Sequence, residues 1–118
     1  MMSFNAGDVI VVDYPHVETN LIKRRPALVV SAQSLGLNGS VLWAVMITSL
    51  ANRPWPGDFE IDDHRALGLP IPSVIRTEKI ATLESGGAER IGQVIPQQLA
   101  EVQARVIGYL GLRFATSS

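Results

Sequence analysis

The sequence has no cysteine, two histidines and few aromatic residues, namely three Phe, two Trp and two Tyr in 118 residues. Without cysteine there can be no disulfide, thiol nucleophile or thiolate metal site. Two histidines argue against a histidine-rich metal centre. The hydrophobic core must therefore be aliphatic, and the Val and Ile residues of the apolar runs favour strands.

Charge is sparse and balanced, with ten basic and eleven acidic residues and a net charge of -1. This balance argues against bulk electrostatic attraction to DNA or to a membrane surface. No apolar run approaches the roughly 18–20 residues of a membrane-spanning helix, and the N-terminus lacks the pattern of a secretory leader. We expect one domain over residues 1–118, located in the cytoplasm, with no membrane partner, no metal and no other cofactor.

Short apolar runs separated by turn residues indicate a mainly β protein. Pro15 is expected to end the first strand, and residues 16–24 are interpreted as a loop. Residues 73–83 fit either two short strands or one bent strand. The strands are predicted at residues 8–14, 26–32, 41–49, 58–61, 73–83 and 90–95.

The C-terminal part of the sequence predicts an amphipathic helix that begins at Pro96, because proline is favoured at the first helical position. Gly111 is the predicted C-terminal cap. Spacings of three and four residues place four apolar side chains on one stripe, namely Leu99, Val102, Val106 and Leu110. Six or seven strands followed by this helix predict a small twisted antiparallel barrel that protects its edges by closing or by dimerising.

A basic run, Lys23-Arg24-Arg25, leads directly into Pro26 and an apolar strand. An arginine at a rigid strand end has little freedom to lose on binding, and its guanidinium matches the geometry of phosphate or carboxylate. From these residues alone, a salt bridge between Arg25 and a carboxylate of the chain is the slightly better interpretation.

Five segments in order resemble the PemK/MazF family of toxins from type II toxin–antitoxin systems. The resemblance covers nearly the whole chain, although the loop at 16–24 lacks the glycine that many relatives have there. The matching segments are Gly7–Asp13, Arg25–Ser31, Val45–Ser49, Ser73–Leu83 and the C-terminal helix.

The resemblance implies a barrel of the SH3-like, PemK type, a homodimer, and a metal-independent endoribonuclease that cuts single-stranded RNA, chiefly mRNA, at short sequences. In this family the 2′-hydroxyl of the RNA attacks the adjacent phosphate and leaves a 2′,3′-cyclic phosphate and a 5′-hydroxyl. A cognate antitoxin blocks the RNA groove, and DNA is contacted only indirectly, through the antitoxin.

The resemblance also implies catalytic roles for Arg25, Thr48, Arg76 and Glu78. Arg25 would stabilise the charge that develops on the phosphate and can secondarily act as general acid, while the hydroxyl of Thr48 would bind a phosphate oxygen. Arg76 and Glu78 are two residues apart, so on a regular strand they share a face and can act as acid and base. From the residues alone, Thr48 is explained by β propensity and the Arg76–Glu78 pair by a solvated ion pair.

The remaining candidates are contacts to RNA. Histidine titrates near neutrality, so His16 could take part in proton transfer, or it is an ordinary surface residue. Trp55, between two prolines, could stack on a base or fill a structural position. The predicted RNA-binding residues are His16, Asn20, Lys23, Arg24, Ser49 and Trp55.

Two alternatives to a ribonuclease stay open at this point. One is a non-catalytic toxin of the same fold that binds and poisons DNA gyrase, because fold alone does not fix function. The other is a relative whose altered first loop no longer admits RNA. The Arg25-Pro26 and Thr48-Ser49 pairs favour the ribonuclease. The cleaved RNA sequence and the identity of the antitoxin are not encoded in any pattern of the sequence.

Overall fold

The computed structural model describes residues 3–16, 21–33 and 35–112, and it leaves out the side chains of residues 14–16 and 21–23. Two 3-10 turns, Leu37–Gly39 and Arg65–Leu67, lie between strands. The strands and the helix of the described residues are β1 (Asp8–His16), β2 (Leu21–Val29), β3 (Val41–Ser49), β4 (Asp58–Glu60), β5 (Ser73–Glu84), β6 (Glu89–Gln93) and α1 (Pro96–Tyr109).

The six strands form one antiparallel sheet in the order β4-β5-β3-β2-β1-β6. Strand β3 is central, with β2 on one side and β5 on the other. The predicted mainly β fold with a C-terminal helix is therefore confirmed. In the described part of the chain, no helix has both the length and the apolar character needed to cross a bilayer.

Aliphatic side chains are buried on both faces of the sheet. One cluster includes Val9, Leu28 and Val45 together with Val102 of α1, so the helix covers this face. The second cluster includes Ile10, the neighbour of Val9, on the opposite face. Because successive side chains of a strand point to opposite faces, double-sided burial explains why the strands are continuous apolar runs rather than alternating ones.

The first hairpin is longer than the sequence predicted. Strand β1 continues through Pro15, which pairs with Ile22, and β2 begins at Leu21. The interpretation as a loop is therefore wrong for residue 16 and residues 21–24, and residues 17–20 lie outside the described residues. Strand β6 pairs only with Asp8–Val11 of β1. Beyond that point one side of β1 has no pairing strand among the described residues, and proline is tolerated at such an edge.

Strand β3 has the predicted bounds, and β5 is one bent strand rather than two short ones. Opposite β5, Val45 pairs with Ile80 but the next residue, Met46, pairs with Arg76, so residues 77–79 form an irregularity. Arg76 and Thr77 are both buried as a consequence, whereas Glu78 is exposed. The prediction that Arg76 and Glu78 share one face of a regular strand is therefore wrong.

Helix α1 begins at the predicted proline and packs Leu99, Val102 and Val106 against the first cluster. Leu110 follows the last helical residue and is 68% exposed, so the predicted stripe is wrong at its C-terminal end. Gly111 comes next with φ of 77°, a left-handed conformation that suits the residue after a helix C-terminus.

The 3-10 turn at Arg65–Leu67 lies directly against β6. A Cβ atom at Gly92 would overlap the backbone carbonyl of Leu67, and one at Gly68 would overlap the carbonyl of Ile91. Gly68 also has φ of 75°, which favours glycine over other residues. These two glycines allow the backbone of the turn to pack directly against β6.

Candidate active site

A cavity of about 310 Å³ opens where β2 begins to pair with β3 and where β3 ends. Ala27 pairs with Met46 in the ladder, and continuing that register by two residues brings Arg25 beside Thr48. The opposite wall comes from the segment before β5. The lining residues are Arg24, Arg25, Pro26, Ile47, Thr48, Ser49, Asn52, Leu69, Pro70, Ile71 and Ser73.

Arg25 is half-buried, and its backbone is held in the ladder opposite Val12. Its Nε atom is buried and has no hydrogen-bond partner among the residues that the structure describes. A buried donor without an acceptor costs about 1–3 kcal/mol. Arg25 also lines the cavity, and the geometry of a guanidinium matches that of a phosphate.

The hydroxyls of Thr48 and Ser49 both act as acceptors in the chain. Thr48 Oγ1 accepts a hydrogen bond from Asn52 Nδ2 at 2.5 Å, and Ser49 Oγ accepts one from the N–H of Ala51 at 3.1 Å. A hydroxyl has one proton to donate besides its acceptor lone pairs. Both hydroxyls can therefore still donate to a phosphate oxygen in the cavity.

Sequence reasoning missed the part of the lining that comes from the loop after β3 and from the chain around the start of β5. Asn52 lies four residues after Thr48, and Ser73 lies opposite Ser49 in the β3–β5 ladder. The Ser73 hydroxyl donates to the carbonyl of Ile71 at 2.8 Å, and the N–H of Leu50 donates to Pro72 at 3.0 Å. The sequence signal for this wall is the strand end at Thr48-Ser49, because another strand must pair with it, and in the structure Ser73 is the residue opposite Ser49.

Arg76 is buried in a separate cluster, with 8% of its surface exposed. Its Nε and Nη2 atoms donate to the two carboxylate oxygens of Asp58, each at 3.1 Å, and Nη2 also donates to the carbonyl of Arg53 at 2.8 Å. The guanidinium stacks on the ring of Trp55 at 4.5 Å from the centroid. Arg76 thus pairs with Asp58 in a bidentate geometry that is among the stronger ion pairs.

The environment of Asp58 changes its pKa in the direction expected for such a pair. Burial by itself would raise the pKa of this carboxyl. The hydrogen bond from Arg76, the hydrogen bond from the N–H of Trp55 and the charge of Arg76 outweigh burial, and they hold the pKa of Asp58 below its ordinary value.

Glu78 lines a different groove, together with Thr77, Ile80, Val106, Tyr109 and Leu110. The structure therefore brings Arg25 and Thr48 together and places Arg76 and Glu78 elsewhere. The acid–base role of Arg76 and Glu78 stays a prediction.

Arg24 is a residue of β2 and not of a loop, which corrects its predicted placement. Its guanidinium lies 3.1 Å from the carboxylate of Asp13, its ladder partner, and donates to the carbonyls of Val11 and Gly87. Glu89 lies 3.9 Å away. These contacts hold Arg24 towards β1 and β6, and its contact with RNA stays a prediction.

Of the other predicted RNA-binding residues, one lines the cavity, one lies outside it, and three have side chains that the structure does not describe. Trp55 is 41% exposed and packs on Arg76, outside the cavity, whereas Ser49 lines it. His16 and Lys23 are strand residues whose side chains the structure does not describe, and Asn20 lies outside the described residues. Within residues 3–16, 21–33 and 35–112 there is no group of three or more His, Cys, Asp or Glu side chains that could hold a metal ion.

The fold and the sequence match known proteins. One chain of the MazE–MazF crystal structure (Form-II) from Deinococcus radiodurans matches with a TM-score of 0.73 and 25% identity. The match covers 96% of this chain and 100% of that chain. The MazF crystal structure (Form-I) from Deinococcus radiodurans has a TM-score of 0.72 and 24% identity, over 95% and 100% of the two chains. An endoribonuclease in complex with its cognate antitoxin from Mycobacterial species shares the fold, with a TM-score of 0.68 and 20% identity over 95% and 99%.

No curated protein matches the chain. The family profile of the PemK-like, MazF-like toxins of type II toxin–antitoxin systems matches residues 5–110. This range includes all six strands, the helix and every residue that lines the Arg25 cavity. The chain belongs to the PemK-like, MazF-like toxin family of type II toxin–antitoxin systems.

Proposed function

We propose that this toxin is a metal-independent endoribonuclease that cleaves single-stranded RNA in the cavity lined by Arg25 and Thr48. The observation that carries the proposal is that Arg25, whose buried Nε has no partner in the described chain, lines the same cavity as Thr48 and Ser49, whose hydroxyls can still donate. A mycobacterial protein of the same fold is described as an endoribonuclease, which supports the reaction class.

The proposed reaction needs no nucleophile from the protein, because the RNA supplies its own 2′-hydroxyl. The 2′ oxygen forms a bond to phosphorus, the bond from phosphorus to the 5′ oxygen breaks, and the 5′ oxygen takes up a proton. Arg25 stabilises the charge on the phosphate oxygens and is the candidate donor of that proton. Thr48 donates a hydrogen bond to one of these oxygens. The 2′ proton passes to solvent, because Glu78, the base that the family resemblance implied, lines a different groove.

The surroundings of the cavity fit a flexible, single-stranded substrate. Pro70 and Ile71 form an apolar wall opposite the polar strand ends, and unstacked bases bind such surfaces more readily than paired ones do. The net charge of -1 means that affinity must come from local groups such as Arg25. The proposal includes a cognate antitoxin, since a relative at 25% identity is found in a MazE–MazF complex. It also includes the homodimer that the family resemblance implies.

The test is cleavage of a defined unstructured RNA by the purified protein in the presence of EDTA, with mapping of both new ends. We expect 2′,3′-cyclic phosphate and 5′-hydroxyl ends. Arg25→Ala should lower the rate about 10²–10³-fold, the usual effect of removing one group that stabilises transition-state charge. Arg65→Ala, which removes the same charge from an exposed turn, is the matched control and should cleave normally.

Two results would contradict the proposal. One is intact RNA after incubation with the wild-type protein, and a stable complex with DNA gyrase under the same conditions would then favour the gyrase-binding alternative. The other is cleavage by Arg25→Ala at the wild-type rate, which would show that the reaction takes place elsewhere on the protein.

A further inference from the structure

We propose that Asn52 is a positioning residue that fixes the Thr48 hydroxyl as a donor to the phosphate, and that Arg76 holds in place the loop that carries Asn52. This inference rests on the proposed function, since it assigns a role within the same cavity. No sequence pattern indicated Asn52. Arg76 would act indirectly, through the loop, and would not touch the reacting atoms.

The first argument is the polarity of the Thr48–Asn52 hydrogen bond. A side-chain amide nitrogen can only donate, whereas a hydroxyl can donate or accept. Because Asn52 Nδ2 donates to Thr48 Oγ1 at 2.5 Å, it occupies a lone pair of that oxygen. The Thr48 proton is then free for a different acceptor, and the cavity beside Arg25 is where a phosphate oxygen would supply one.

The second argument is that Asn52 has little to do for the stability of the fold. Its side chain is exposed, and a hydrogen bond at an exposed site contributes little net stability because water competes for both groups. Its backbone N–H already caps the turn by donating to the carbonyl of Ser49 at 3.0 Å. The side-chain contact therefore acts on Thr48 rather than on folding.

The third argument is that the loop carrying Asn52 is fastened by groups of β5 and α1. Arg76 Nη2 donates to the carbonyl of Arg53, the residue next to Asn52, at 2.8 Å. At the far end of the loop, the carbonyl of Gly57 accepts hydrogen bonds from Thr77 Oγ1 at 2.6 Å and from Arg105 Nη1 at 3.0 Å.

Local sequence stiffens the same loop. Pro54 and Pro56 restrict the backbone around Trp55, because proline fixes φ. The ring of Trp55 packs on the guanidinium of Arg76. A loop held in this way keeps the amide of Asn52 at one place, and small displacements of groups at a reacting centre have large effects on rate.

The experiment measures kcat and KM for RNA cleavage with Asn52→Ala, Asn52→Asp, Thr48→Val and the double variant Asn52→Ala/Thr48→Val. We expect Asn52→Ala to lower kcat about tenfold, the equivalent of one hydrogen bond, with KM nearly unchanged. Asn52→Asp should be as slow as Thr48→Val, because its carboxylate would accept the Thr48 proton and repel the phosphate. Gln97→Ala, which removes an exposed amide from α1, is the matched control and should behave as wild type.

The double variant separates positioning from a general structural effect. If Asn52 acts through Thr48, Asn52→Ala/Thr48→Val is no slower than Thr48→Val alone, because contacting residues that act as a unit are not additive. Independent effects that multiply, or an Asn52→Ala enzyme with wild-type kcat, would overturn the inference while leaving the proposed function intact. Absence of cleavage by the wild-type protein would overturn both.

Discussion

Arg25 and Arg76 stand on β2 and β5, the two strands that flank β3, and their surroundings are opposite. The Nε of Arg25 is buried beside a cavity with no partner in the described chain. By contrast, Arg76 donates hydrogen bonds from Nε and Nη2 to the carboxylate of Asp58 and from Nη2 to the carbonyl of Arg53. The ring of Trp55 stacks on its guanidinium. The resemblance to the toxin family had implied a catalytic role for both.

The difference lies in the occupancy of the guanidinium donors, which the position of an arginine in a sequence motif does not reveal. An arginine whose donors are taken by the protein holds elements together and has little left for a substrate. A buried donor without an acceptor destabilises the free protein, so it is expected to persist only where binding or catalysis benefits. Three predictions sharpen this contrast.

The largest expected effect is on stability. Arg76→Ala should lower the free energy of unfolding by about 3–5 kcal/mol, because it leaves the buried carboxylate of Asp58 without its partner. Arg25→Ala should change it by less than about 1 kcal/mol, since no hydrogen bond to Nε is lost. Urea denaturation followed by circular dichroism measures both. Equal losses for the two variants would show that the two arginines do not differ in the way the contacts indicate.

A smaller effect, with a defined pH dependence, is expected for Asp58→Asn. Because the pKa of Asp58 is lowered by folding, its ionised form stabilises the fold above the unfolded-state value of about 3.9, and this contribution is lost as the pH falls through the lower pKa of the folded state. The variant should be about 1.5–3 kcal/mol less stable than wild type at pH 7, because Asn replaces a charged hydrogen-bond acceptor with a neutral one, and this difference should shrink at pH 3.

The control for this pH experiment is Asp62→Asn, which neutralises a nearby exposed carboxylate. It should alter the free energy of unfolding by no more than about 0.5 kcal/mol at either pH. A difference between wild type and Asp58→Asn that stays constant from pH 7 to pH 3 would contradict the assignment of the stabilisation to the ionised Asp58.

The smallest expected effect is that of Trp55→Ala. The stacking of Trp55 on Arg76 is partly exposed, and such contacts contribute about 0.5–1 kcal/mol. If Trp55 serves only this contact, RNA cleavage by Trp55→Ala should fall no more than about tenfold, the factor that corresponds to about 1.4 kcal/mol, through loosening of the Asn52 loop. A large increase in KM would instead support the sequence-based prediction that Trp55 stacks on a base.

The sequence predicted the elements whose signal is local. Strand β3 has the predicted bounds because it is a buried aliphatic run with turn residues before and after it, and α1 begins at Pro96 because proline suits that position. The extent of the first hairpin was not predictable, since whether Pro15 ends a strand depends on whether β6 pairs with β1 at that point.

For the candidate site, the sequence predicted that Arg25 and Thr48 lie close together but did not predict the residues that surround them. The adjacency of Arg25 and Thr48 follows from the antiparallel register of β2 and β3, which the ordered motifs indicated. Asp58, the partner of Arg76, lies 18 residues away in sequence, and the irregularity in β5 that separates Arg76 from Glu78 has no local sequence signal. Asn52 depends on a loop conformation that distant side chains impose.

The contact of Gly68 and Gly92 with the neighbouring backbone has a consequence for how this protein can diversify. One wall of the cavity belongs to the sheet, where Ile47 is part of the core. The other, Leu69 to Ile71, begins directly after the backbone contact at Gly68 and ends just before β5. Leu69 is buried in the core, whereas Pro70 and Ile71 are exposed. The shape and polarity of this wall can therefore change at Pro70 and Ile71 without disturbing the core or the sheet.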